Sequence, residues 1–345
     1  MATIGNFLIA LLLFGLMVFV HELGHFLAAR ATGIGVKEFS IGFGPALAGF
    51  RRGDTRYALR LIPMGGFCRF FGDEEDRDRP DAYDRQKVWK RMITTVSGPL
   101  MNGVLAYLAI VVFLMAVGYA YNVPRVEQVA PGSAAETAGV LPGDVVCAVD
   151  GEEISWDTTG VRRLIQRLQE DPGSPKVLDL RRGGQQLSLA LQPEKTESGY
   201  QIGVLLGAEQ YRYPLGEALH GGLMGIKNML VLMVDAIAKM FTTGEGLEET
   251  GGPVMILSVM TQSVSQGMDM VLNLVVIISL NLGLINLLPL PALDGGHLVL
   301  QLIEWIRGKP ISRKYALAIQ IVGFSLLMAL FLVLTFRDVG RLITG

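Results

Sequence analysis

The chain has 345 residues, half of them apolar and only 18% charged, with a mean hydropathy of +0.41, well above the mixture of an ordinary soluble domain. A formal net charge of -2 gives no basic field for nucleic acid, and two cysteines far apart in sequence, Cys68 and Cys147, exclude a disulfide framework. A bilayer is the surrounding that suits this composition.

The first run, Ile4 to Val20, lacks the basic flank and small-residue cleavage site of a signal peptide and is read as a retained helix. Four stretches are long and apolar enough to cross a membrane: Ile4 to about Arg30, Ser97 to about Tyr121, Met270 to about Leu288 and Tyr315 to about Phe336. Between the first two lies a segment dense in Lys and Arg, which the positive-inside rule makes cytoplasmic. Within it, residues 33–72 alternate like strands and are expected to form a small membrane-associated hairpin or sheet. From Val123 to about Leu205 the composition turns soluble. A strand is expected at Val126 to Val129, a capping box at Ser133-Ala134-Ala135-Glu136, a strand at Val145 to Val149 and a helix over about Thr159 to Gln169, with Val161, Leu164, Ile165 and Leu168 on one face. Two strands joined by Gly183-Gly184 follow. Pro214 to Thr243 carries Glu217, His220, Lys227, Asp235 and Lys239 at intervals and is read as interfacial rather than spanning.

The chemistry sits at the ends of apolar runs. His21-Glu22-Leu23-Gly24-His25 places two imidazoles one helical turn apart, able to reach one Zn²⁺, with Glu22 beside them as a general base. Ionisable groups at membrane depth are expensive and mark function. A catalytic zinc usually takes three protein ligands and keeps one position open, and the third candidate is Asp294, in the Pro- and Gly-broken stretch Asn286 to His297. His297 is read as a packing or outer partner of the site, and His220 as structural or interfacial. The two motifs can meet only at one membrane face. Ile4 to Val20 rises about 25 Å at 1.5 Å per residue, which puts His21 near the cytoplasmic edge of a core about 30 Å thick. A lone crossing by Pro214 to Thr243 would carry Asp294 to the far side, so that segment is expected not to span.

Two resemblances add to this reading. Ala130-Pro131-Gly132-Ser133-Ala134-Ala135, Gly139-Val140 and Gly143-Asp144 resemble the PDZ family, which implies a domain that docks extended peptides or one that filters substrates by size. His21 to His25, together with Asn286-Leu287-Leu288-Pro289-Leu290-Pro291-Ala292-Leu293-Asp294-Gly295, resembles the site-2 protease family (peptidase family M50) of intramembrane zinc metalloproteases, in its bacterial RseP-like branch, over nearly the whole chain. The resemblance implies His21, His25 and Asp294 as zinc ligands, Glu22 as catalytic acid and base, and Asn286 as a substrate-binding or oxyanion-stabilising side chain. Ser97-Gly98-Pro99-Leu100-Met101-Asn102 resembles the family's second-span motif, which implies a substrate-binding place for Asn102. Family members with tandem PDZ domains are known, whereas this chain has room for one.

The expected architecture is therefore an α-helical membrane protein of about four transmembrane helices, with a membrane-associated β-hairpin or sheet and one inserted extracytoplasmic PDZ domain of α+β class. Residues 1–121 form the first membrane core, 122–206 the PDZ domain, 207–268 extracytoplasmic or interfacial linker helices and 269–345 the second membrane core. The expected setting is the bacterial inner membrane, with the active site near the cytoplasmic face. Zn²⁺ is the expected cofactor; the expected partners are single-span membrane protein substrates, membrane lipids and a peptide ligand of the PDZ domain, with no nucleic acid. The rival readings are a non-catalytic PDZ-bearing scaffold and a metal transporter. A scaffold has no use for Glu22, and a transporter is poorly served by four spans without an internal repeat.

Overall fold

The apolar start of the chain folds as one helix, α1 (Ala2–Thr32), which closes its backbone hydrogen bonds internally, as a segment without water must. A computed structural model describes residues 2–344 apart from 77, 158, 171–173, 197–198 and 247–250. It divides into two units, Met1–Leu114 with Leu215–Gly345, and Met115–Pro214.

In the first unit α1 leads into β1 (Val36–Arg52) and β2 (Thr55–Phe70). This hairpin doubles back on itself. Glu38 to Ile41 pair with Arg56 to Leu59 on one side and with Gly66 to Arg69 on the other, while Ala46 to Arg52 pair with Thr55 to Arg60. The two long strands therefore make four ribbons, with 66–70 at an edge. The fold-back occurs at Gly42 and Gly44, both at φ +85°, where a side chain would be strained. A 3-10 turn at Tyr83–Arg85 precedes α2 (Val88–Ala116). That helix starts nine residues before the expected Ser97, so Lys90 and Arg91 lie in its first turn, and it ends before Tyr121, which belongs to a strand.

After the second unit come α5 (Leu215–Thr242), α6 (Pro253–Gln266), α7 (Met268–Leu287), α8 (Asp294–Arg307) and α9 (Arg313–Thr344). Ala10 and Met17 of α1 pack with Met260 of α6, flanked by Leu105, Leu274 and Ile278. The buried carboxylate of Asp338 on α9 accepts the Gly252 and Met255 N–H groups at 3.0 and 2.9 Å, capping α6 from a distant helix. Five helices among the described residues are long and apolar enough to cross a membrane, where about four were expected. The additional one is Leu215–Met240, whose mean hydropathy of 1.4 compares with 2.1 to 2.6 for the others. Its charges, Glu217, Lys227, Asp235 and Lys239, are spaced widely enough that 18 consecutive residues hold no more than two of them.

The second unit contains β3 (Tyr119–Val129), α3 (Ala134–Thr137), β4 (Val145–Val149), β5 (Glu152–Glu153), α4 (Gly160–Gln169), β6 (Lys176–Arg182), β7 (Gln185–Leu191), β8 (Glu194–Thr196), β9 (Gly199–Gln201) and β10 (Val204–Tyr211). The main sheet runs β10-β3-β4-β6-β7, with β5 beside β4 and a separate β8-β9 pair. The unit is wider than 122–206 because β3 and β10 pair out to Tyr119 and Tyr211. Its core is Val126, Val146, Val149, Leu164, Leu178 and Leu180. Ser133 caps α3 by accepting the Glu136 N–H. Ile165, expected on the buried face of α4, is 52% exposed; Val161, Leu164 and Leu168 alone fill that face. Asp144 is fully buried and takes a two-pronged pair of bonds from Arg182, each 2.7 Å. The Arg182 guanidinium holds this carboxyl below the ordinary carboxylate range.

Candidate active site

His21 and His25 lie one turn apart on α1 and are 6% and 8% exposed, with rings edge to face at 4.8 Å. Asp294 is the first residue of α8. Its Oδ2 stands 3.0 Å from His21 Nε2 and 3.5 Å from His25 Nε2, and the two Nε2 atoms are 3.2 Å apart. Three ligands around a tetrahedral ion at about 2.0–2.1 Å would lie about 3.3–3.4 Å from one another, so the spacing fits zinc. Among the described residues this is the one group of three or more His, Cys, Asp and Glu side chains close enough to hold a metal.

Hydrogen bonding argues the same way. His25 Nδ1 donates to the Thr94 carbonyl at 2.8 Å, which leaves Nε2 with a bare lone pair. His21 Nδ1 faces the Asn102 amide at 3.2 Å, while Asn102 Oδ1 is buried without a partner. Turning that amide over, a change of assignment only, lets Oδ1 accept the Nδ1–H and leaves the second Nε2 bare as well. Two lone pairs and a carboxylate oxygen then face one another, an arrangement that is stable only around a cation.

Packing makes room for this. A Cβ on Gly98 of α2 would collide with the Nε2 atoms of both histidines, and one on Gly24 would strike the Ser97 carbonyl. Asn102, one turn beyond Gly98, is thereby brought behind His21. It is fully buried and is not part of the cavity wall, so the substrate contact expected of it is replaced by contact with a histidine.

The cavity in front of the triad measures about 400 Å³ and includes Glu22, Phe67, Cys68, Tyr83, Asn286 and His297 in its wall. Glu22 Oε2 accepts the Cys68 N–H at 2.9 Å, which ties the edge ribbon of the hairpin to the carboxylate. Burial, and next the Glu22 carboxylate, push the Cys68 thiol well above its ordinary range, so it is no nucleophile near neutral pH. Cys147 is also free and lies in the other unit. Asn286, on the last turn of α7, reaches the cavity. His297 also lines it but stays outside the three-ligand group, and His220 is exposed on α5.

The bend between α7 and α8 delivers Asp294. Ala292 sits at φ +72°, which non-glycine residues rarely adopt, and Gln320 of α9 accepts its N–H at 2.7 Å. The closely packed Gly295 and Gly296 leave no space for a Cβ against the carbonyls of Leu287, Leu288 and Leu290. Residue-by-residue reading of the sequence missed the contributions of Thr94, Cys68 and Gln320. The first two act through backbone atoms, which have no side-chain signature.

Residues 9–330 match peptidase family M50. A protein of Clostridium perfringens, provisionally named a zinc metalloprotease, is 36% identical over 96% of this chain and 97% of its own length. Another so named, from Agrobacterium fabrum, is 34% identical over 96% of this chain and 95% of its own. The zinc metalloprotease RasP of Geobacillus kaustophilus is 29% identical over 98% and 99% respectively. With its several membrane-length helices, the chain belongs to peptidase family M50, the site-2 protease family of zinc metalloproteases, and zinc is its cofactor.

Proposed function

We propose that the protein is an intramembrane-cleaving metalloendopeptidase that hydrolyses peptide bonds in the transmembrane segments of single-span membrane proteins. Anti-sigma factors and remnant signal peptides, cut during regulated intramembrane proteolysis, are the substrate classes its family resemblance implies. The observation that carries this reading is the convergence of His21 Nε2, His25 Nε2 and Asp294 Oδ2 within 3.5 Å of one another, on a cavity that Glu22 also lines.

In this reading His21, His25 and Asp294 hold zinc, which when bound supplies Lewis acidity toward water and the scissile carbonyl. Glu22 takes a proton from the attacking water and returns it to the leaving amine nitrogen. The Cys68 N–H fixes the Glu22 carboxylate. Asn286, in the cavity wall, holds the substrate backbone or the developing oxyanion. Asn102 and Thr94 orient the two imidazoles rather than touching substrate. A helical substrate must unwind before it can be cut, and the edge ribbon 66–70 beside Glu22 offers a strand against which an extended segment can pair.

The second unit is read as a PDZ domain on the extracytoplasmic side of a bacterial inner membrane. Its β10 stands at one end of the main sheet among the described residues, a position suited to the addition of a peptide strand. We read α5 as interfacial. Its Gly222 and Gly225 pack on Ile110 and Val111 near the end of α2, and α6 begins at Asp338 near the end of α9. Both α2 and α9 run outward in this topology, so the chain from α5 to α6 starts and finishes on one face. If α5 crossed, residues 243–252 would have to return across about 30 Å as bare extended backbone.

The test is cleavage of a single-span substrate by reconstituted protein. Wild type cuts in a zinc-dependent manner, and Glu22→Gln retains zinc but loses about 10²–10⁴-fold in rate; undiminished cutting by that variant rejects the assignment.

A further inference from the structure

Helix α8 has its polarity reversed. Asp294, His297, Gln301 and Glu304 recur at spacings of three, four and three and so form one stripe. Asp294, Gln301 and Glu304 of that stripe meet the rest of the protein, while His297, although exposed, lines the cavity. Asp294 meets the two histidines, Gln301 donates to the Tyr83 hydroxyl at 2.9 Å and to Thr95 Oγ1 at 3.0 Å, and Glu304 accepts from the buried Arg91 at 2.5 Å. The other side carries Val299, Leu302, Ile303 and Ile306, the last 74% exposed, and Trp305, one turn beyond Gln301 at the end of the helix, is 65% exposed. A helix flanked by water would turn these the other way.

What covers this face is indicated by its neighbours. The preceding and following helices, α7 and α9, both have membrane length and composition. The Arg91–Glu304 pair sets the end of α8 level with the first turn of α2, where Trp89 is also 50% exposed. Two outward tryptophans, flanked in sequence by Lys87, Lys90, Arg307 and Lys309, match the belt of indoles and cations found where a bilayer meets the cytoplasm. These cations complement an anionic leaflet.

We propose that α8 is a lipid-seated strut. Its apolar face lies in the cytoplasmic boundary between headgroups and acyl chains, Arg307 and Lys309 meet anionic headgroups, and this seating presses the opposite stripe, with Asp294 at its start, against α1 and α2. The location of the helix stands on its own; its effect on Asp294 rests on the metal-centre reading above.

Location is tested with full-length protein keeping Trp305 alone (Trp89→Phe, Trp156→Phe), in phosphatidylcholine–phosphatidylglycerol vesicles containing lipids brominated at shallow or deep acyl positions. Trp305 emission is expected to be blue-shifted and quenched most by the shallow bromines. Emission typical of water and untouched by bromine, or quenched most by the deepest bromines, overturns the proposal. The strut is tested by zinc retention against a chelator. Ile303→Asn with Ile306→Asn leaves the inward stripe intact and is expected to release zinc about tenfold faster. Arg307→Gln with Lys309→Gln is expected to abolish any advantage of anionic over purely zwitterionic vesicles. Retention equal to wild type in both variants overturns the strut. Wild type that never binds zinc would instead reject the metal-centre reading, and the quenching result would still decide where α8 lies.

Discussion

In Met115–Pro214 the side chains withdrawn from the surface are chiefly Val126, Val146, Leu178 and Leu180, whereas in the rest of the chain His21, His25, Asn102, Ser279, Gln301 and Asp338 are buried while many leucines and isoleucines face outward. The smaller unit follows the logic of water, with apolar surface hidden and Asp144 held inside by its pairing with Arg182 and by the Leu141 N–H. The larger unit follows the logic of lipid, where apolar surface costs nothing outside and polar groups must find one another within. Stability should therefore be lost in different ways. Volume removed from the core damages the first unit, and partners removed from polar groups damage the second.

Leu178→Ala should show the largest effect, about 2–5 kcal/mol off the stability of β4 and β6 by amide exchange, with zinc retention unchanged. A fall in zinc retention would mean that the two units are energetically coupled. Asn102→Leu keeps the bulk but removes the acceptor for His21 Nδ1–H, so zinc affinity should fall about 10–100-fold while exchange in β6 stays as it was. Asn102→Asp should recover much of that loss, since a carboxylate oxygen still accepts; equal loss in both variants would make Asn102 a packing residue. Gln320→Ala should weaken zinc retention by about 1 kcal/mol by freeing the Ala292 N–H. Adding Ala292→Gly, which tolerates φ +72°, should reverse part of it. The smallest expected effect is of pH on the smaller unit. The Asp144 carboxyl is lowered in the fold, so its stabilisation is complete above the unfolded carboxylate range and fades as pH falls through the lower folded value. Exchange in β6 should be steady down to about pH 5 and accelerate below it, and Asp144→Asn should flatten that dependence.

The same contrast explains what could be read in advance. Within the smaller unit, α3, β4, α4 and the β6–β7 hairpin lie close to their expected places because turns such as Gly183-Gly184 and the Ser133 capping box act locally, whereas β3 starts at Tyr119 and β10 runs to Tyr211, beyond the expected bounds. That His21, His25 and Asp294 come together, with Glu22 and Asn286 on the same cavity, could be anticipated because ionisable side chains at the ends of apolar runs stand out against their surroundings. The doubled pairing of β1 and β2 was not legible, since each residue from Glu38 to Ile41 serves two partners far apart in sequence. Asn102 was assigned to the right neighbourhood but the wrong side of the ring, because a motif does not specify which face of a helix meets the cavity. The reversed polarity of α8 depends on Tyr83, Arg91 and Thr95, more than 200 residues away from their partners Gln301 and Glu304.

The cap that Asp338 places on α6 links the far end of the polypeptide to the packing above the histidines. A version of the chain shortened by its final dozen residues would retain every group needed for hydrolysis, yet α6 would lose the carboxylate that anchors its start and, with it, a fixed seat against Ala10 and Met17. Purification tags and fusions belong at the other terminus, or beyond a spacer long enough to leave that last turn undisturbed.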